Sequence, residues 1–176
     1  KQVTFYENLG SIYEKTQRLR KMAYFISDQL NLNKEKVEIT ASISKSDLVS
    51  GIVGEFPELQ GTMGQYYAID QGEHPEISVA IADHYKPQGP SDAVPQNDVA
   101  AALALTDKLE LLTSFWAIGE KPTGSKDPFA LRRAALGVIR ILLERGYRMA
   151  LRRRVASFFH YLYDEVRGDW SSTLMD

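Results

Sequence analysis

Apolar residues recur at helical spacing along most of the chain. Over residues 8–30, Ile12, Thr16, Leu19, Ala23, Ile26 and Leu30 succeed one another at steps of three and four, which makes one seam of a long helix. Arg18, Arg20 and Lys21 lie off that seam, and Asn31-Leu32-Asn33 ends it. Residues 34–44 predict a short helix with Val37 and Ala41 inward, and Ser46 or Asp47 is placed to cap a further turn or two through Leu48 and Val53. The next helix is expected to open at residues 55–61, with Pro57 in its first turn and Glu58 favourable to the dipole there. Gly61 and Gly64 then fall inside the helical run, three apart on one face, where a neighbouring helix passes close. Gly72 stops that helix and Pro75 starts another through His84. Residues 86–95 hold three prolines and read as the main irregular loop.

A long helix capped by Asn97 or Asp98 comes next, with Val99, Leu103, Thr106, Leu109, Leu112 and Phe115 inward and Gly119 at its end. The last helix covers residues 149–166. No repeat and no strand is read. The expectation is an all-α fold of about seven helices, one domain over residues 1–168 with a frayed tail at 169–176.

Residues 121–140 form a loop that feeds straight into a helix. Thr123, Gly124 and Ser125 are turn formers, Asp127 stands where an N-cap belongs, and Pro128 takes the first helical position. The apolar residues from Phe129 to Leu143 predict a mostly buried helix. Arg132 and Arg133 sit about one turn inside its start, near the positive end of the helix dipole, where cations are locally unfavourable. They answer something negative, either a carboxylate of the same chain or a phosphate. Free helix N–H groups, Lys126 and the arginines make a candidate anion site. The order Gly124-Ser125-Lys126 is not the phosphate-loop pattern, so nucleotide hydrolysis is poorly supported.

Charge sharpens this picture. The net charge of the 176 residues is −2, yet residues 121–154 carry ten Lys or Arg against two acidic residues, whereas residues 1–120 carry ten against seventeen. Such a basic zone attracts nucleic acid, or docks onto the chain's own acidic part. With 44% apolar residues, no apolar run long enough to span a membrane and no secretory leader, the chain reads as globular and cytoplasmic. The absence of cysteine excludes disulfides and thiolate metal sites. A start at Lys1 is read as a cut from a longer protein.

Catalytic signals are sparse. His74, His84 and His160 have no HxxxH or HExxH spacing, and Asp83-His84 reverses the His-Asp order of metal-dependent phosphohydrolases of the HD type. Asp47 and Asp107 are placed to meet across a helical bundle, with caps or ion pairs to Lys45, Lys108 or the arginines as their default role. No serine has a nucleophile-elbow context. RNA binding remains: Lys121, Lys126, Arg132, Arg133, Arg140 and the run 152–154 for phosphate, and Tyr147, Trp116, Tyr66 and Tyr67 as surfaces for base stacking or as core residues.

Several runs taken together resemble the beta subunit of bacterial glycyl-tRNA synthetase. These are Ser44-Lys45-Ser46-Asp47-Leu48, the run VGEFPELQG at 53–61, MGQYYA at 63–68, ALTDKL at 104–109 and PTGSKDPFALRRAA at 122–135. The resemblance covers residues 9–151, an internal helical part of a large subunit. It implies a part in attaching glycine to tRNA(Gly) with ATP, in an assembly of two alpha and two beta subunits. The alpha subunit carries the active site and uses the ATP, so this segment is expected to hold no cofactor and to be non-catalytic alone. The implied partners are tRNA(Gly), the alpha subunit and the remaining beta-subunit domains.

The resemblance also implies an HD-like helical domain that lacks the metal-binding histidines. Arg18 or Arg20 stands where the first His is expected, Lys45-Ser46-Asp47 replaces the His-Asp pair, and Asp47 and Asp107 alone remain as degenerate HD positions, with no metal. The alternatives to RNA contact are a protein-docking scaffold, in which Gly61, Gly64 and the Phe56 region face another part of the subunit, and a residual HD-type phosphohydrolase.

Overall fold

A computed structural model describes residues 3–167, so the expected frayed tail at 169–176 lies outside the described residues. Among those residues there are eight α-helices, two 3-10 turns and one small antiparallel sheet. The fold is all-α, as expected. The sheet, β1 (Thr4–Tyr6) and β2 (Gly10–Ser11), takes up the stretch where the apolar spacing predicts the first turn of helix, from residue 8. Helix α1 (Ile12–Gln29) begins only after it. Its start is set by a capping box: Glu14 N–H donates to Ser11 Oγ at 3.3 Å, and Ser11 N–H donates to Glu14 Oε2 at 2.6 Å.

The other helices are α2 (Lys34–Ile43), α3 (Gly51–Glu55), α4 (Thr62–Asp70), α5 (Pro75–Asp83), α6 (Asp98–Ala117), α7 (Leu131–Glu144) and α8 (Leu151–Arg167). Helix α6, capped by Asn97, is the axis. It is buried on nearly all sides, and α1, α5, α7 and α8 pack around it. Met22 and Ile26 of α1, Ala101, Leu105 and Leu109 of α6, Val138 and Ile141 of α7 and Phe158 of α8 form one apolar cluster. A second cluster joins α1, α2, α5 and α6 through Leu19, Val37, Ala80 and Leu103.

One predicted helix is broken. Helix α3 ends at Glu55, a 3-10 turn covers Pro57–Leu59, and α4 starts at Thr62. Gly61 therefore lies before the helix, at φ +82°, and not inside it. Without a Cβ it lets Tyr85 approach. Gly64 is in the helix and is the point of close passage: a Cβ there would stand 2.6 Å from Cγ2 of Ile81 on α5 and 3.2 Å from Oδ2 of Asp47. The two glycines thus serve internal packing. Gly64→Ala is expected to destabilise the fold by about 1–3 kcal/mol by overpacking, although alanine is the better helix former. Thermal unfolding of the variant checks this, and a raised midpoint would refute it.

Candidate nucleic-acid interface

The basic loop before α7 is a tight hairpin. Thr123 N–H donates to Lys126 O at 3.0 Å, and Lys126 N–H returns to Thr123 O at 2.8 Å. Gly124 at the tip takes φ +52°, with open space around it. Lys121, Gly124, Ser125 and Lys126 are exposed. The chain beyond the hairpin is anchored. The Phe129 ring stacks on Phe115 of α6 with centroids 4.2 Å apart and meets the Tyr6 ring edge-on at 5.3 Å. Leu131 is buried against Leu9 and Phe115. The tip is thus a solvent-facing projection on a fixed base.

Helix α7 starts three residues later than Pro128, because Ala130 adopts φ +54° and Leu131 is the first helical residue. Asp127 still caps it, but from further back: its Oδ1 accepts from Leu131 N–H at 2.8 Å and its Oδ2 from Arg132 N–H at 2.9 Å. The chain's own carboxylate therefore fills the helix N-terminus, so the expected anion site made of free helix N–H groups is occupied from within. Any phosphate contact here must come from side chains.

Those side chains separate into two groups. Arg132, Arg133, Lys121 and Lys126 are exposed, and no carboxylate among the described residues pairs with them. Arg140 is engaged: its Nε donates to Glu144 at 2.9 Å and its Nη1 to the carbonyl of Gly89 at 3.1 Å. Arg154 donates to Gln29 at 2.9 Å, while Arg152 and Arg153 are exposed. Of the stacking candidates, Tyr66, Tyr67 and Trp116 present exposed rings, and the Tyr147 hydroxyl is bound to Asp98 at 2.6 Å.

The second charged constellation is internal, and sequence reasoning identifies only part of it. Lys15 and Arg18 of α1 are both 4% exposed and Glu110 of α6 is fully buried. Glu110 accepts from Arg18 Nε at 2.8 Å, from Ser114 Oγ at 2.9 Å and from Lys15. Lys15 also reaches Asp107 at 3.2 Å, and Lys45 reaches the same carboxylate at 3.4 Å. Of the two arginines Arg18 and Arg20, Arg18 points inward, while Arg20 pairs with Glu38 at 2.8 Å near the surface. A seam of apolar residues along α1 leaves out Lys15 and Arg18. Their signal lies on the other side: α6 is apolar all round, so charges within it must be buried and must find cations.

Asp47 and Asp107 are held by different direct partners. Asp47 Oδ2 accepts from the N–H groups of Gly61 and Gly64, at 2.6 and 3.2 Å, and so holds the turn into α4. Asp107 is an ion-pair partner of lysines, its default role on sequence grounds. The His84 Nδ1 lies 2.7 Å from the carbonyl of Ile81 and must donate there, so Nε2 accepts from the Lys45 ammonium at 2.7 Å. Burial, together with the Lys45 charge, holds His84 well below its usual range and keeps it neutral. Burial lowers Lys45 too, against the pull of Asp107. For Asp107, burial works against ionisation, but the charges of Lys15 and Lys45 outweigh it and depress its pKa. Lys108 is lowered by burial to about 8, and its ammonium donates to the carbonyls of Tyr85 and Lys86 beyond the end of α5.

Among the described residues, no three His, Asp or Glu side chains are gathered as a metal-ligand set. The imidazole and carboxylate nearest to such an arrangement are held by an ammonium group. The arrangement places paired charges of both signs in the core.

A family profile described as glycyl-tRNA synthetase beta subunit matches residues 1–174. The chain belongs to the glycyl-tRNA synthetase beta-subunit family. It is 56% identical over 160 residues to the glycine–tRNA ligase beta subunit of Phenylobacterium zucineum (strain HLK1). That match takes in 89% of this chain and 24% of the relative, so the chain spans about a quarter of the beta subunit it resembles. The resemblance read from the motifs is thereby confirmed at the level of the family. No described helix is long and apolar enough to cross a membrane.

Proposed function

We propose that this chain is a tRNA-contacting helical segment of a glycyl-tRNA synthetase beta subunit, acting in the cytoplasm beside the alpha subunit and the other beta-subunit domains. In this reading the complete enzyme attaches glycine to tRNA(Gly) with ATP. The segment supplies phosphate contacts and a rigid mount, and it has no catalytic step of its own. The observation that carries the reading is the exposure of Arg132 and Arg133, together with Lys121 and Lys126, on a mount where no described carboxylate pairs with any of the four. A cation with no internal carboxylate retains its full attraction for phosphate.

Filter binding of tRNA to the complete synthetase, over a series of salt concentrations, tests this. Arg132→Ala, Arg133→Ala and Lys126→Ala are each expected to weaken binding and to reduce the salt slope by about one unit per lost phosphate contact. Arg140→Ala is expected to change the slope little, since its guanidinium is already held by Glu144 and Gly89. Unchanged slopes in all three exposed variants would remove this junction from the RNA interface. Loss of function by Asp47→Ala that also removed a metal-dependent phosphodiesterase activity would favour the hydrolase alternative. The engagement of Asp47 by two backbone N–H groups argues against that outcome.

A further inference from the structure

The sequence predicts a mostly buried α7, and the helix is not mostly buried. Leu136, Ile139 and Leu143 are 61%, 49% and 75% exposed. At 3.6 residues per turn they fall within about 60° of one another. Leu131, Ala134, Val138 and Ile141 form the buried line on the opposite side. Arg132 heads the outward line at its N-terminal end. Single exposed aliphatic residues are ordinary, but three in register over two turns make a second apolar face on a helix whose first face already fills the core. RNA phosphate does not use such a face.

We propose that this outward stripe of α7 is covered by an amphipathic helix from elsewhere in the same, longer beta-subunit polypeptide. Two arguments select this occupant. The stripe is small. A stable complex between free partners buries about 800 Å² on each side, which three aliphatic side chains do not approach, whereas a tethered segment is present at millimolar effective concentration and needs far less. The chain also matches only 24% of the length of its relative, so most of a homologous polypeptide is there to supply the helix. The inference rests on the family assignment and is independent of RNA binding by the loop.

The test uses the complete synthetase, with alpha and beta subunits, first without and then with added tRNA. A photo-reactive p-benzoylphenylalanine placed at position 143 is expected to crosslink to another segment of the same polypeptide, with a yield unaffected by dilution. Leu143→Glu is expected to speed amide exchange across residues 131–144 roughly tenfold. Its tRNA affinity is expected to stay close to that of the unaltered subunit. Crosslinks only to a second copy, only to the alpha subunit or only to added tRNA would overturn the proposal. So would no crosslink at all, or exchange unchanged by the substitution. Because position 143 is exposed within this segment, the crosslinking arm is informative even where the charged substitution disturbs the larger protein.

Discussion

Glu110→Ala is expected to remove about 3–5 kcal/mol of folding stability, the range for breaking a buried ion pair from one side. Glu110 is fully buried and neutralises Lys15 and Arg18 on α1 while accepting from Ser114 on its own helix. Without it, Lys15 keeps Asp107 at 3.2 Å, but Arg18 keeps the carbonyl of Leu9 at 3.1 Å and the more distant charge of Glu14. A guanidinium 4% exposed cannot recover its hydration. The hydrophobic contacts of α1 and α6 would be pulled apart to let water in. Glu110→Gln should fall between wild type and alanine, since an amide oxygen still accepts from Arg18 while the charge is gone. Urea unfolding at neutral pH measures both, and a loss below about 1 kcal/mol for the alanine variant would show that the cluster is hydrated. Lys126→Ala, made in the exposed hairpin tip, serves as the reference and should leave stability nearly unchanged.

Stability should fall as the pH drops below 6.5, with a slope of about 1.4 kcal/mol per pH unit from a single group. That group is His84. Its folded pKa lies well below the usual histidine value of 6.5, so the unfolded chain takes up the proton first and is favoured as protons become available. The groups facing the ring are Lys45, which donates to Nε2, Tyr85, whose ring centroid lies 3.9 Å away, Asp107 and Lys108. Protonation would set an imidazolium against the Lys45 ammonium, and the fold avoids this by keeping the ring neutral. Asp107, depressed by Lys15 and Lys45, adds a second loss of the same sign as the pH passes below the usual carboxylate range. At the other end of the scale, Lys108 releases its proton near pH 8 in the folded state and near 10.5 in the unfolded chain, so its contribution rises with pH between those values. Urea midpoints from about pH 5.5 to 7, where the carboxylates stay ionised in both states, isolate the histidine. His84→Gln should flatten the profile in that window, and a flat wild-type profile would mean that the ring is free to charge.

Much of the helical architecture is legible in the chain. Asn97 caps α6 and Pro75 opens α5, and the inward positions of α6 from Val99 to Phe115 agree with the apolar spacing apart from the half-buried Leu112. These features depend on local hydrogen bonding and on the 3.6-residue period, which act over a few neighbours. Sequence and structure part where contacts distant along the chain set the outcome. The Pro57 region reads as the start of a helix, yet Gly61 takes a positive φ so that Asp47, fourteen residues away, can receive its N–H. Asp127 reads as a cap one residue before a proline, but the packing of Phe129 on Phe115 shifts the helix start to Leu131.

Family membership, the all-helical class and the basic character of residues 121–154 are properties of residue order and composition, and they are readable without coordinates. The fate of each charge is not. Arg18 lies off the apolar seam of α1 and is nevertheless buried, as is Lys15, whereas Arg132 and Arg133 stand in an apolar helix and are exposed. The period of a helix assigns residues to faces, but only the neighbours packed against each face decide whether it meets water, an opposite charge or apolar side chains. Solvation of a cation depends on that choice, and so does its use, as a strut inside the core or as a contact for phosphate outside it.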